Sequence, residues 1–256
     1  MNKSIVSGVL VFVAGASALM AQGAAPAGPK QPAPKSQAEL TAVQALFQAQ
    51  QGGPDAVIKA ADELLTKFAD TDFKEIALLF EAQAYKNKGD DAKAQIFAER
   101  LLEANPKNFQ GQMMLGEIIV KGTREHDLDR EEKLTKAGKY FNDAIAGVKA
   151  STKPNPQITD EQWAEIQKQV QAEAHNGIGM GELTRKKYDV AIAEFKSATE
   201  LDPKEYTYQV RLASAYQLSG KNDEAAAIAD KVIAAPDVHP QVKQVAQQIK
   251  AATTKK

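Results

Sequence analysis

The sequence predicts an all-α chain assembled from repeated pairs of antiparallel helices. Three observations lead there. Beyond Gln37 the chain is dominated by Ala, Leu, Glu, Gln and Lys, all good helix formers. Pro and Gly fall between the apolar-periodic segments, at Gly52-Gly53-Pro54, Gly89, Pro106, Gly122, Pro154, Pro156, Pro203, Gly220 and Pro236, and no alternating Val/Ile/Thr run marks a strand. Small residues recur at a fixed interval, since Ala82 to Gly116, Gly179 to Ala213 and Ala191 to Ala225 each span 34 positions.

Composition narrows the function classes. The 256 residues are 43% hydrophobic and 25% charged with a formal net charge of −1, a globular balance. Cysteine is absent, which excludes disulfides, Cys-ligated zinc, iron–sulfur clusters, covalent c-type haem and a thiol nucleophile. It also leaves no Cys to carry an N-terminal lipid. The near-neutral charge argues against nucleic acid as the partner, which calls for a basic face.

The elements follow in chain order. Residues 1–21 read as a secretory signal peptide: Lys3 supplies the positive start, Ile5 to Ala18 the apolar run, and Ala16-Ser17-Ala18 with Ala21 the small residues near a cleavage point. The run is short for a membrane helix, which needs about 20 residues; an uncleaved anchor is the alternative. Cleavage leaves a net charge of −2, because Lys3 is the one charged residue removed. Residues 22–36 hold Pro26, Pro29, Pro32 and Pro34 among Ala and Gly and are expected to form an extended linker. The helical part is then 37–252, with units at about 37–72, 75–108, 109–158, 159–205 and 206–237 and a cap at 238–252.

The unit at 37–72 has a good amphipathic second helix from Asp55 to Asp70, but its first helix lacks the Gly and Tyr marks of the later units; end repeats are commonly atypical. The unit at 109–158 carries an insertion, with 15 steps from Gly122 to Ala137 where a regular repeat has about 6. That insert is highly charged. Thr159-Asp160-Glu161-Gln162 reads as a capping box opening a long helix that reaches about Arg185, with Trp163, Ile166 and Val170 on one stripe. Val238, Val242, Ala246 and Ile249 place a last helix over the end of the array.

With these residues in place the chain resembles a tetratricopeptide repeat (TPR) protein, whose 34-residue unit carries a W-x2-L-G-x2-Y…A-x3-F…P pattern. The marks are Leu78, Ala82, Tyr85, Gly89, Ala94, Ala98 and Pro106 in one unit, Gly179, Ala191, Phe195, Ala198 and Pro203 in another, and Leu212, Ala213, Tyr216, Gly220, Ala225, Ala229 and Pro236 in a third. The resemblance implies a right-handed α-solenoid of antiparallel helix pairs with a C-terminal capping helix. Its packing logic is close helix crossing at small residues, Ala82, Gly116, Gly179 and Ala213 on the first helices and Ala94, Ala137, Ala191 and Ala225 on the second. Phe141 and Phe195 then plug the space between neighbours.

The resemblance also implies a concave face lined by first helices. It places there Ile76, Leu79, Gln83 and Asn87, then Met113, Glu117 and Val120, then Asn176, Met180 and Leu183, then Val210, Ser214 and Gln217. The Lys/Asn/Arg clamp by which some TPR proteins grip a C-terminal carboxylate is missing, since Leu79, Gln83, Glu173 and Gly177 stand at its positions. A mixed groove with adaptable methionines suits an extended peptide or a helix.

Local chemistry is sparse. Gly177, Gly179 and Gly181 follow no strand and lack the dinucleotide-binding spacing. Gly177 and Gly181 leave two readings: a soft point in the long helix, or close approach of a neighbour, the commoner reason for glycine inside a helix. His126 beside Asp127, Asp129, Glu131 and Glu132 has the ingredients of a cation site but lacks a loop Gly and a closing Glu, so a solvated insert is the better reading. No nucleophile elbow, zinc helix or phosphate loop is present. The expectation is a non-enzymatic scaffold without cofactor or metal, exported to the periplasm or secreted, binding a protein or peptide and itself monomeric. Two alternatives stand beside it: an accessory ligand or metal domain built on residues 123–133, and an oligomer held together by the Trp163, Ile166, Val170 stripe.

Overall fold

Helix punctuation in the sequence becomes helix termini in the structure. The computed structural model describes residues 32–155 and 157–254; the signal-peptide reading and most of the linker lie outside them. Among the described residues all regular structure is helical: α1 Gln37–Ala49, a 3-10 turn Gln50–Gly52, α2 Pro54–Lys67, α3 Lys74–Asn87, α4 Asp91–Ala104, α5 Phe109–Gly122, α6 Arg130–Ala150, α7 Asp160–Thr184, α8 Tyr188–Leu201, α9 Tyr206–Leu218, α10 Asn222–Ala234 and α11 Pro240–Thr253. Successive helices pack pairwise, α1 on α2, α3 on α4, α6 on α7, α7 on α8, α9 on α10. The described residues divide into two compact units, one of residues 32–115 with 153–155 and 157–158 and one of 116–152 with 159–254.

In the first unit the core is Val43, Leu46, Val57, Ala61, Leu64, Phe73, Ala77, Phe80 and Ala84, with Phe47 edge-on to Phe80 at 5.7 Å between ring centroids. The atypical first repeat is held by a polar lock instead of the usual marks. Ser36 caps α1 by accepting the Glu39 amide, while the buried Glu39 carboxylate accepts Lys35 N and Thr71 Oγ1, both at 2.6 Å. Lys35 also pairs with Asp70 at 2.9 Å. The end of the expected linker, residues 33–36, is therefore tied to the α2–α3 turn.

The second unit contains the two longest helices, α6 of 21 residues and α7 of 25. The Thr159–Gln162 capping box forms, with Gln162 N donating to Thr159 Oγ1 at 3.2 Å and Thr159 N to Gln162 Oε1 at 2.9 Å. α7 is one continuous helix, and close packing accounts for its central glycines. The fully buried Phe141 ring lies between α5 and α7: a Cβ at Gly116 would come within 2.7 Å of it, and a Cβ at Gly177 within 2.3 Å. Gly179 stands in the same relation to Phe195, at 2.7 Å. The soft-point reading is thus replaced by packing at Gly177, although Gly181 sits in ordinary contact distance of Leu134 and Val120, 3.7 Å from each.

The stripe on α7 also differs from one alternative read in the sequence. Trp163 is only 8% exposed and Val170 is buried; α7 lies along α6 there, and Gln167 Nε2 donates to the Val148 carbonyl at 2.7 Å. Trp163 and Val170 are thus buried within the fold, while Ile166, the third residue of the stripe, is half-buried. The C-terminal core, from Ala191 to Ile249, is closed by Val238 of the turn before α11 and by Val242, Ala246 and Ile249 of α11.

Candidate protein-interaction face

The first helix of each pair offers the surface to which the sequence assigns binding, and each unit can be described by itself. In the first unit Ile76 and Leu79 pack against the N-terminal core, Gln83 is buried and donates to Asn87 Oδ1 at 3.2 Å, and Asn87 stands at the end of α3. Met113 is an interior residue, 1% exposed. Its unbranched chain fills the core, so it offers no contact to a partner.

In the second unit Val210 is likewise buried, and Asn176 is buried beneath Arg211, whose Nη1 donates to its Oδ1 at 2.6 Å. Glu117, Val120, Met180, Leu183, Ser214 and Gln217 are half-buried, the state expected of groove residues, while Met180 and Leu183 also touch the C-terminal core. Arg211 is the residue the sequence reading passed over. It stands 34 positions after Gly177, so the repeat register itself marked it as the point where one unit has no side chain and the next has the longest cation.

The electrostatics around Arg211 are those of a polar floor inside an apolar lining. Burial pulls its guanidinium below its usual range, and Tyr208, Glu205, Glu117 and Glu173 oppose that shift. Burial, reinforced by Glu173, Glu205 and Asp202, pushes the Tyr208 hydroxyl well above the ordinary tyrosine range. The fixed charge is held by acids on two helices, Glu117 of α5 and Glu173 of α7, and by Glu205 in the turn before α9, which is how a buried cation is retained. His175 is committed elsewhere: its Nδ1 lies 2.7 Å from Glu194 Oε2, joining α7 to α8.

The charged insert is ordered by its own ions. Arg124 N donates to Asp127 Oδ2 at 3.1 Å and Arg130 Nη1 to the Glu125 carbonyl at 2.8 Å. Lys133 reaches Asp127 at 3.4 Å and Asp129 at 2.9 Å. From the α7–α8 turn Arg185, itself buried, binds Glu131 Oε2 at 2.9 Å and Glu182 Oε1 at 2.6 Å, and Lys186 binds Glu125 at 2.5 Å. Of the carboxylates considered for a cation, Asp127, Asp129 and Glu131 are thus engaged by lysine and arginine, and among the described residues no three metal-binding side chains converge.

Known proteins share this geometry. Family models described as tetratricopeptide repeat match residues 77–108, in the first unit, and 182–249, in the second. Both stretches are tetratricopeptide repeats. A TPR protein of the thermophile Thermus thermophilus is similar in structure, with TM-score 0.53, 20% identity, and coverage of 84% of this chain and 98% of that one. MamA of Desulfovibrio magneticus, from residue 41 to its end, is similar with TM-score 0.58, 15% identity, and coverage of 83% and 97%. At these identities the likeness shows the fold, the all-helical repeat fold of TPR proteins. No curated protein matches the sequence.

Proposed function

We infer that the chain is an exported, non-enzymatic scaffold that binds a protein partner through the groove of its first helices. The observation that carries this is the tetratricopeptide array itself, together with the half-buried, mixed lining of Met180, Leu183, Ser214 and Gln217 around the Arg211–Asn176 floor. Such a lining offers both apolar contact and hydrogen bonds to an extended or helical segment. The signal-like residues 1–21 support export to the periplasm or beyond the cell.

Crosslinking in intact cells, followed by identification of the captured protein, tests the reading. Ser214→Arg adds bulk and charge to the groove without removing a core contact, so capture is expected to fall at least about tenfold while the helical circular dichroism and melting curve stay unchanged. Unaltered capture by Ser214→Arg overturns the groove assignment. Mass measurement of the chain recovered from cells tests export, with a mature start near residue 22 as the expected result.

A further inference from the structure

Two residues beyond the first helix of a pair, the chain turns through the left-handed region of the backbone. Gly89 does so after α3 at φ 76° and Gly220 after α9 at φ 80°. After α7 the same place is taken by Lys186 at φ 61°, the one non-glycine with positive φ among the described residues. The three turns are otherwise alike: the next amide donates back five residues, Asp90 to Tyr85 at 3.0 Å, Lys187 to Glu182 at 2.9 Å and Lys221 to Tyr216 at 2.9 Å. In this conformation a Cβ crowds the backbone, a penalty that glycine avoids.

Burial does not hold the lysine there, since its side chain is 58% exposed. What the side chain does is reach Glu125 Oε1 of the insert at 2.5 Å. That hydrogen bond, more than any other cause, lifts Lys186 above the ordinary lysine range and draws Glu125 below the ordinary carboxylate range. Arg185 beside it reaches past the insert to the start of α6, at Glu131 Oε2, the Glu131 carbonyl and Thr135 Oγ1, 2.9, 3.2 and 2.8 Å away. The insert is also fixed at its root, where the buried Thr123 donates to the Ile119 carbonyl at 2.6 Å. It therefore runs as a strap from the end of α5 to the start of α6, tied along its length to the turn after α7.

We propose that Lys186 is a latch, kept at a backbone position that favours glycine because its side chain closes the insert onto the α7–α8 turn, and that the insert is a salt-sensitive strap joining the C-terminal ends of α5 and α7. A left-handed lysine persists where the surroundings over-determine it, and such strain gathers at sites with a task to perform; here the task is the bond to Glu125. An exposed ion pair is weak and is screened by salt, so the strap opens without unfolding the helices beneath it. Val120 and Leu183 lie within a turn of the two helix ends it joins, and a Cβ on Gly181 of α7 would stand 3.7 Å from Val120. Closing the strap holds these ends side by side. Any effect on a partner rests on the groove reading; the latch does not, so either can fail alone.

Amide exchange over residues 123–129, read together with thermal melting, tests it. In the wild type this exchange is expected to be faster at about 0.5 M than at about 0.1 M salt, where the screening length is near 10 Å. Lys186→Gly is expected to speed it roughly two- to fivefold while Tm stays level or rises by up to about 4 °C, because relief of the left-handed backbone offsets the lost pair. Glu125→Gln leaves the Lys186 backbone as it is and removes the pair alone, so it is expected to speed exchange equally with no rise in Tm. Lys186→Arg keeps the cation and is expected to keep exchange slow. Unchanged exchange over 123–129 in Lys186→Gly or in Glu125→Gln overturns the proposal, as does wild-type exchange that ignores salt. So does a Lys186→Gly chain with lowered Tm and faster exchange throughout α7 and α8, which would make the lysine a part of the turn and not a latch.

Discussion

Glu81 shows how one residue can set the pH behaviour of a helix pair. It is completely buried, and neither carboxylate oxygen receives a hydrogen bond from a protein donor. Burial pushes its pKa up to about 8, the charge of Asp62 and a hydrogen bond to that carboxylate push the same way, and Arg100 opposes them. Burial and the nearby Asp62 carboxylate therefore both favour the neutral acid. Its folded value lies above the ordinary 4.5, so folding takes up a proton; the stability this gives is full below about pH 4.5 and is lost as pH rises toward about 8, at ~1.4 kcal/mol per pH unit. Glu81→Gln keeps the shape of the side chain and removes the titrating group. Urea unfolding at about pH 5 and about pH 8, on either side of the window in which the buried acid titrates, is expected to show a variant more stable than wild type at the higher value, with the decline between the two much reduced. Phe141 makes the complementary case for shape. Gly177→Ala improves helix propensity by about 1 kcal/mol yet forces a methyl into the ring, and overpacking of about 1–3 kcal/mol should win. Phe141→Leu in the same chain should restore part of the loss, and a double-mutant cycle reads the coupling.

At the scale of elements, the helix pairs and their boundaries were legible because each is written in local chemistry: Thr159 and Gln162 mark the start of α7, Pro106 and Pro203 the ends of α4 and α8. What the sequence could not tell was which side of an amphipathic stripe faces a neighbour. Trp163, Ile166 and Val170 look alike on the helical stripe, and the structure buries Trp163 and Val170 but leaves Ile166 half-buried. Trp163→Ala is accordingly expected to destabilise the second unit by about 3 kcal/mol and to leave the oligomeric state unchanged, as read by thermal melting and sedimentation. The capping helix is a further test. Stopping the chain at Asp237 removes α11 and uncovers the core around Val232 and Ala229, so the truncated chain is expected to melt lower and to bind a hydrophobic dye.

Across the whole molecule the candidate face was only partly readable. Periodicity marked the first helix of each pair, but a 3.6-residue repeat does not say how deep a side chain sits, so Met113 and Val210 read as surface residues and belong to the core. Arg211 escaped for the opposite reason: it is neither an apolar point nor a member of a carboxylate clamp, and only its register with Gly177 carried the signal.

The turns that precede α5 and α9 repeat one device. Gln112 donates to the Pro106 carbonyl at 2.8 Å and Gln209 to the Pro203 carbonyl at 2.9 Å. Each lock is closed by the helix that follows it and asks nothing of the helix before. A duplication or deletion of a whole repeat at such a boundary would arrive with its own closure and its own small crossing residue already in register. The array can therefore change length during evolution, or in an engineer's hands, without inventing a new junction.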